Sequence, residues 1–234
     1  METQEELIAA TAQANRALAA SGQSDMVWGH AAIRDPDNRG VWMKTAGWSF
    51  GEVTEDRVAL VSPAGEVLAG HGPRHIEYPI HTEVMLARPD VGCVVHTHAP
   101  AACAFAALDQ PLLALSHDGV EFADPPVGRF TRTGSLISSA DLGKALAEAI
   151  GDGNGALLPR HGLVTVGPDP ARAVMRAVLL ARACQVQLQA LAAGDIKTWS
   201  DPAEIEKKKA EVWPESQYKA GYAYLCRLAA AASL

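Results

Sequence analysis

Val91-Gly92-Cys93-Val94-Val95-His96-Thr97-His98-Ala99-Pro100 is the stretch on which the fold turns. Its first half is a run of apolar and small residues, the composition of a strand buried on both faces. Side chains alternate across a strand, so residues two apart share a face. His96 and His98 therefore leave the strand end side by side, with Thr97 turned away. Neutral imidazole is the commonest protein ligand for zinc and related ions, and two parallel rings supply two of the three protein ligands a catalytic metal needs. The plainer reading is a pair of polar residues where a strand leaves the core.

Outward from this strand, read as 91–97, the pattern is of mixed elements. Residues 79–87 read as a helix stopped by Arg88-Pro89-Asp90, and Pro100 opens a helix over 101–108, as proline does at a first helical position. Upstream lie a helix over 4–20, strands over 27–34 and 41–45 around the turn-rich Asp35–Gly40, and a hairpin of 58–62 with 66–68. Downstream, 111–116 reads as a further strand and 117–138 as irregular. A helix over 139–150 is capped by Ser138 or Ser139, and strands 156–158 and 162–167 are separated by Pro159-Arg160-His161. A long helix over 170–193 precedes a helical tail within 203–234 that carries Trp213, Tyr218, Tyr222 and Tyr224. With no repeat or composition break, residues 1–234 are expected to form a single α/β domain with helices flanking a mixed, partly antiparallel sheet.

Composition narrows the function classes. Hydrophobic residues make up 48% and charged residues 20% of 234, a globular balance. A net charge of −7, from 20 basic against 27 acidic residues, disfavours nucleic acid as the main partner. The one basic run, Lys207-Lys208-Lys209, stands beside Glu204, Glu206 and Glu211 and reads as a solvated helix face. Four cysteines without a Cys-x-x-Cys pair read as reduced thiols. No signal peptide and no 18-residue apolar span are visible, so the expectation is a cytoplasmic protein without a membrane partner, acting on a small molecule.

All eight histidines fall between His30 and His161. A third ligand must come from another element near the strand end. His161, between two apolar strands and followed by a glycine that permits a tight backbone, is the best candidate; the alternative is a turn histidine exposed to water. Glu77 precedes His81 by four residues and sits at the start of the 79–87 helix. A carboxylate near a metal serves as fourth ligand, as base, or as both in turn, although helix starts favour carboxylates in any case.

Glu77, His81, Arg88-Pro89-Asp90-Val91, His96-Thr97-His98-Ala99-Pro100 and Arg160-His161-Gly162 together resemble the class II aldolase/adducin family, over residues 5–194. The resemblance implies a single-domain α/β/α layered fold with a central, mostly antiparallel sheet. It implies a divalent metal ion (zinc, manganese, cobalt or iron) on His96, His98 and His161, with Glu77 as the catalytic acid/base. It also implies a homo-oligomer, commonly a tetramer, with active sites at subunit interfaces.

The best-known members act on phosphorylated sugars and hold phosphate with a Gly-Asn turn, a Thr/Ser-Gly turn and a Ser-Ser pair before the glutamate. This chain departs at each point, with His30, with Thr45-Ala46-Gly47-Trp48 and with Arg74-His75-Ile76. An arginine fork pairs with a planar carboxylate, and Trp28, Trp42 and Trp48 either stack on a flat ring or fill the core. The expected substrate is therefore planar and carboxylated, bound by Arg74, His75, His30, Thr45 and Arg160. The segment from Ser116-His117-Asp118-Gly119 to Leu136-Ile137 resembles the branch that decarboxylates ortho-hydroxy aromatic acids. The expected activity is a metal-dependent carbon–carbon lyase, decarboxylating an ortho-hydroxy aromatic or heteroaromatic acid or diacid, with Glu77 and His117 moving protons. The alternatives are an aldolase or epimerase of a sugar phosphate, and a non-catalytic interaction module like the adducin head. A serine triad cannot form from the consecutive Ser116-His117-Asp118, and Gly151–Gly155 precedes a strand, unlike a dinucleotide loop.

Overall fold

Eight short strands form one sheet in the computed structural model, which describes residues 3–232. The strands are β1 (His30–Arg34), β2 (Val41–Lys44), β3 (Val58–Val61), β4 (Val67–Ala69), β5 (Cys93–Thr97), β6 (Gly128–Arg129), β7 (Gly155–Leu158) and β8 (Gly162–Gly167). Their order across the sheet is β4-β3-β2-β1-β5-β8-β7-β6. Every neighbouring pair is antiparallel except β6 with β7. The helices are α1 (Gln4–Ala20), α2 (Pro79–Ala87), α3 (Pro100–Ala106), α4 (Ala140–Ile150), α5 (Pro170–Ala193), α6 (Pro202–Val212) and α7 (Glu215–Ala232). The expected α/β/α layering with a mostly antiparallel sheet is what the chain adopts.

Both faces of the sheet are covered, so its central strands are apolar at every position rather than at every second one. Cys93 and Val95 of β5 join a core with Leu7 and Leu18 of α1, Phe105 of α3 and Leu180 of α5. Val94, between them, points the other way, to Ile80 and Val84 of α2 and Leu146 and Ile150 of α4. Trp42 and Met43 divide between the same two cores. Each fully buried Val, Leu or Ile contributes about 1.5–3 kcal/mol relative to exposure, so the β5 run anchors both layers.

His96 and His30 have the parity of Val94 and Ala32, which places them on the α2 side, and the register sets them directly opposite one another. Pro79 occupies the first turn of α2, and the helix ends at Arg88, whose conformation the following Pro89 restricts. The Arg34 guanidinium gathers the carbonyls of Met85, Arg88 and Val91 at 2.7–2.9 Å, fixing the end of α2 against β1. That contact holds the helix start, and Glu77 before it, over the end of β5.

Four expectations differ. Residues 111–116 form no strand: Gln187 of α5 accepts from Leu113 N–H and donates to Pro111 O, so a side chain takes the place of a neighbouring strand. The edge strand is instead β6, inside the segment read as irregular. The tail breaks at Trp213-Pro214 into α6 and α7, because proline cannot donate within a helix; α7 packs on α1 and α5. The first strand begins only at His30, since residues 25–28 make a tight bridged turn. Among the described residues no helix is long and apolar enough to cross a membrane.

Candidate metal centre

Four side chains converge beyond the ends of β5 and β8. His96 and His98 come from the end of β5, His161 from the β7–β8 turn, and Glu77 from the residues leading into α2. One ligand atom from each lies within 4.8 Å of all the others. His96 Nε2 and His98 Nε2 are 3.1 Å apart. Glu77 sets Oε2 3.7 Å from His96 Nε2 and Oε1 3.5 Å from His161 Nε2. Gly162 makes the close approach of the hairpin possible: a Cβ there would lie 2.3 Å from Thr97 O and 3.0 Å from the His98 ring.

The far nitrogens decide what these rings offer. His96 Nδ1 donates to Leu163 O at 2.9 Å, and His98 Nδ1 donates to the Asp25 carboxylate at 2.8 Å. A carbonyl and a carboxylate only accept, so both Nδ1 atoms carry the proton. Burial holds His96 neutral, pushing it down to about 3. The Nε2 atoms of His96 and His98 then face one another across 3.1 Å beside a carboxylate, an arrangement that a cation between them relieves. Burial raises the Glu77 carboxyl, but His161, His96 and the Ile137 N–H outweigh it and hold it down to about 2. Ile137 N–H donates to Glu77 Oε1 at 2.8 Å and fixes its orientation. The donor set is thus three imidazoles and an anion, which fits a divalent ion such as zinc, manganese, cobalt or iron.

A cavity of 470 Å³ opens onto the cluster. Its polar wall is Asp25, His30, His75 and Arg160; Trp28, Ile76 and Leu136 make its apolar wall. Buried Lys44 steadies the loops behind it, donating to Val27 O at 3.0 Å and to Trp48 O at 2.7 Å. Burial lowers that ammonium to about 8.

Behind this cluster lies a second histidine group. His30 Nδ1 and His81 Nε2 share a hydrogen bond of 2.6 Å, and the His30 ring meets those of His75 and His96 at centroid distances of 4.6 and 5.2 Å. Burial pushes His75 and His81 down to about 3 and His30 well below its usual value.

Not every residue singled out in the sequence reaches this cavity. Arg74 turns away: its Nε donates to Gly65 O at 2.6 Å and its guanidinium covers Tyr78. Thr45 is buried, with its hydroxyl directed to Arg57 O. His117 is exposed on a 3-10 turn beside α6, where its carbonyl accepts from Trp213. Trp42 is core, with its indole N–H on Asp35, and Trp48 stacks on Arg57; of the three tryptophans only Trp28 lines the cavity. Asp25, Ile76 and Leu136 were not foreseen. An isolated acid in a turn carries no spacing that ties it to a histidine 73 residues away.

Comparison with known proteins agrees with this geometry. Residues 9–188 match the family described as Class II Aldolase and Adducin N-terminal domain. The chain is 32% identical over 197 residues to 3,4-dihydroxyphthalate decarboxylase of Arthrobacter keyseri, covering 79% of each protein. It is 32% identical over 186 residues to Decarboxylase NovR of Streptomyces niveus, covering 78% of this chain and 68% of that one. Among solved structures, L-fuculose 1-phosphate aldolase from Glaciozyma antarctica PI12 superposes with a TM-score of 0.82 at 27% identity, over 97% of this chain and 89% of the other.

Proposed function

Because the chain belongs to the class II aldolase and adducin family, we propose that it is a metal-dependent carbon–carbon lyase that decarboxylates an ortho-hydroxy aromatic or heteroaromatic acid. The observation that carries this reading is the pairing of the three-imidazole, one-carboxylate cluster with a cavity walled by Trp28, Ile76 and Leu136. A flat ring fits such walls, and their side chains stack on it without competing for its polar edge. His96, His98 and His161 would hold the metal. When bound, the ion supplies Lewis-acid stabilisation of the negative charge left as a bond to carbon breaks.

The proton steps belong to Glu77. Held well below the ordinary carboxylate range, it rests as the anion and begins as a base rather than as an acid. It takes the proton of the ortho hydroxyl and delivers it to the ring carbon that bears the carboxylate. That carbon becomes tetrahedral, the bond to the carboxylate breaks, carbon dioxide leaves, and the bonding pair restores the ring. Asp25 holds the His98 ring in its tautomer throughout, and the Ile137 N–H keeps Glu77 aimed.

Aldol cleavage of a sugar phosphate is the second reading, supported by the likeness to the solved aldolase. Against it stands the cavity wall, whose lining among the described residues includes no serine or threonine hydroxyl to wrap a phosphate. The similarity to two named decarboxylases favours the first reading. The test is carbon dioxide release from a panel of ortho-hydroxy aromatic acids with zinc, manganese or cobalt added. Glu77→Gln should keep its metal and slow turnover by about 10²–10⁴-fold, the usual worth of a positioned acid/base. Cleavage of a sugar phosphate with no carbon dioxide from any aromatic acid would reverse the order of the two readings.

A further inference from the structure

Of the charged side chains that line the cavity, Asp25 and Glu77 are engaged, one by His98 and the other by Ile137 and the histidines. Arg160 is not: among the described residues it makes no hydrogen bond and no ion pair. Its backbone is unusual as well. Leu158 O accepts from His161 N–H at 3.0 Å, closing a turn in which Arg160 has φ 67°. That position of a turn favours glycine or asparagine, and a long side chain there is strained. Strain of this kind persists where the side chain is needed.

The side chain lies on Gly134. A Cβ at residue 134 would fall 2.8 Å from Arg160 Nε and 3.1 Å from Cζ, so only a glycine leaves the guanidinium its place. The same short segment carries Leu136 into the cavity and donates the Ile137 N–H to Glu77. Arg160 and Glu77 thus rest on one wall, with apolar surface from Leu136 beside them.

We propose that Arg160, laid across Gly134 at the cavity mouth, receives a second carboxylate of the substrate and sets a preference for dicarboxylated over monocarboxylated rings. A free, planar guanidinium fork matches a carboxylate with two parallel N–H donors. The proposal rests on the lyase reading for the ring that carries the two acids, and it deepens that reading by naming the diacid as the substrate class.

Binding tests it without turnover. Salicylate, 4-hydroxyisophthalate and 2-hydroxyterephthalate share an ortho-hydroxy acid, and the last two add one carboxylate at different positions. Calorimetric titration of the metal-replete protein should show at least one diacid bound about tenfold more tightly than salicylate, the size of one charge-assisted pair at a half-open site. Arg160→Gln and Arg160→Gly should bring that ratio to within about twofold. Arg160→Gly also installs the residue that the turn favours, so its melting temperature should rise while the preference is lost. A purely structural arginine would shift stability and leave the ratio alone. Equal affinities in the wild-type protein, or a preference that survives in both variants, would overturn the proposal. Failure of every acid to release carbon dioxide would sink the lyase reading and still leave the affinity ratio to decide on Arg160.

Discussion

Two groups of three histidines sit side by side in this molecule, and they differ in what their ring nitrogens face. In the outer group, His96 and His98 commit Nδ1 to Leu163 O and to Asp25, which leaves Nε2 free to face the cavity. In the inner group, His30 and His81 bond to each other through Nδ1 and Nε2 at 2.6 Å, which turns both nitrogens inward. Burial holds His96 neutral just as it does the inner rings, so burial does not separate the two groups. What separates them is the carboxylate on the near side: Glu77 stands 3.7 Å from His96 Nε2 and 3.5 Å from His161 Nε2, and among the described residues no carboxylate pairs with an inner ring. The inner rings lack that partner; they fill space, and His30 and His75 add a polar wall to the cavity.

Removing ligands is the harshest way to break this comparison. His96→Ala, His98→Ala and His161→Ala should each lose metal and activity together, with metal near zero after dialysis against a weak chelator. His81→Phe should keep its metal at full stoichiometry. Elemental analysis decides: full occupancy in any alanine variant removes that residue from the ligand set, and loss in His81→Phe would merge the two groups. A gentler cut removes the acceptor alone. Asp25→Asn should weaken metal affinity by about 10–100-fold, the usual effect of losing a carboxylate behind a metal-binding histidine. An unchanged affinity by competition titration would mean that His98 is oriented by packing instead.

The outer group was legible in the sequence and the inner one was not. Period-two alternation along a buried strand aligns His96 with His98, and a histidine between two apolar runs marks a hairpin that returns to the same edge. His81 was visible as a residue four after Glu77, but its partner His30 lies 51 positions earlier, and no local pattern joins them. The arginines teach the same lesson. Residue type suggested that Arg74 or Arg160 faces the substrate; Gly65 and Tyr78 claim the first, and Gly134 makes room for the second. The motif that singles out His117 lies in a segment with few regular elements, where the path of the chain is set by distant packing on α5 and α6. The sheet and its flanking helices were readable because they follow from burial on two faces. Contacts between loops were not, because nothing in their spacing encodes them.

Acid sharpens the comparison most finely, because the difference between wild type and His81→Phe isolates the inner group. Burial lowers His81 from its ordinary value of 6.5 to about 3 in the folded chain. Between those two values the unfolded chain takes up a proton that the folded chain refuses, so stability is lost as pH falls through this window. Each such histidine steepens the loss by at most about 1.4 kcal/mol per pH unit. His30 and His75 act in the same direction, so metal-stripped protein should melt progressively lower as pH drops from 7 towards 4. In His81→Phe the slope of stability against pH should fall by the contribution of one proton, whatever constant offset the larger ring adds. Urea melts at several pH values separate the slope from the offset. An unchanged slope would mean that His81 is protonated in the folded chain, which would place a positive charge against His30 and remove the distinction between a filled interior and a working edge.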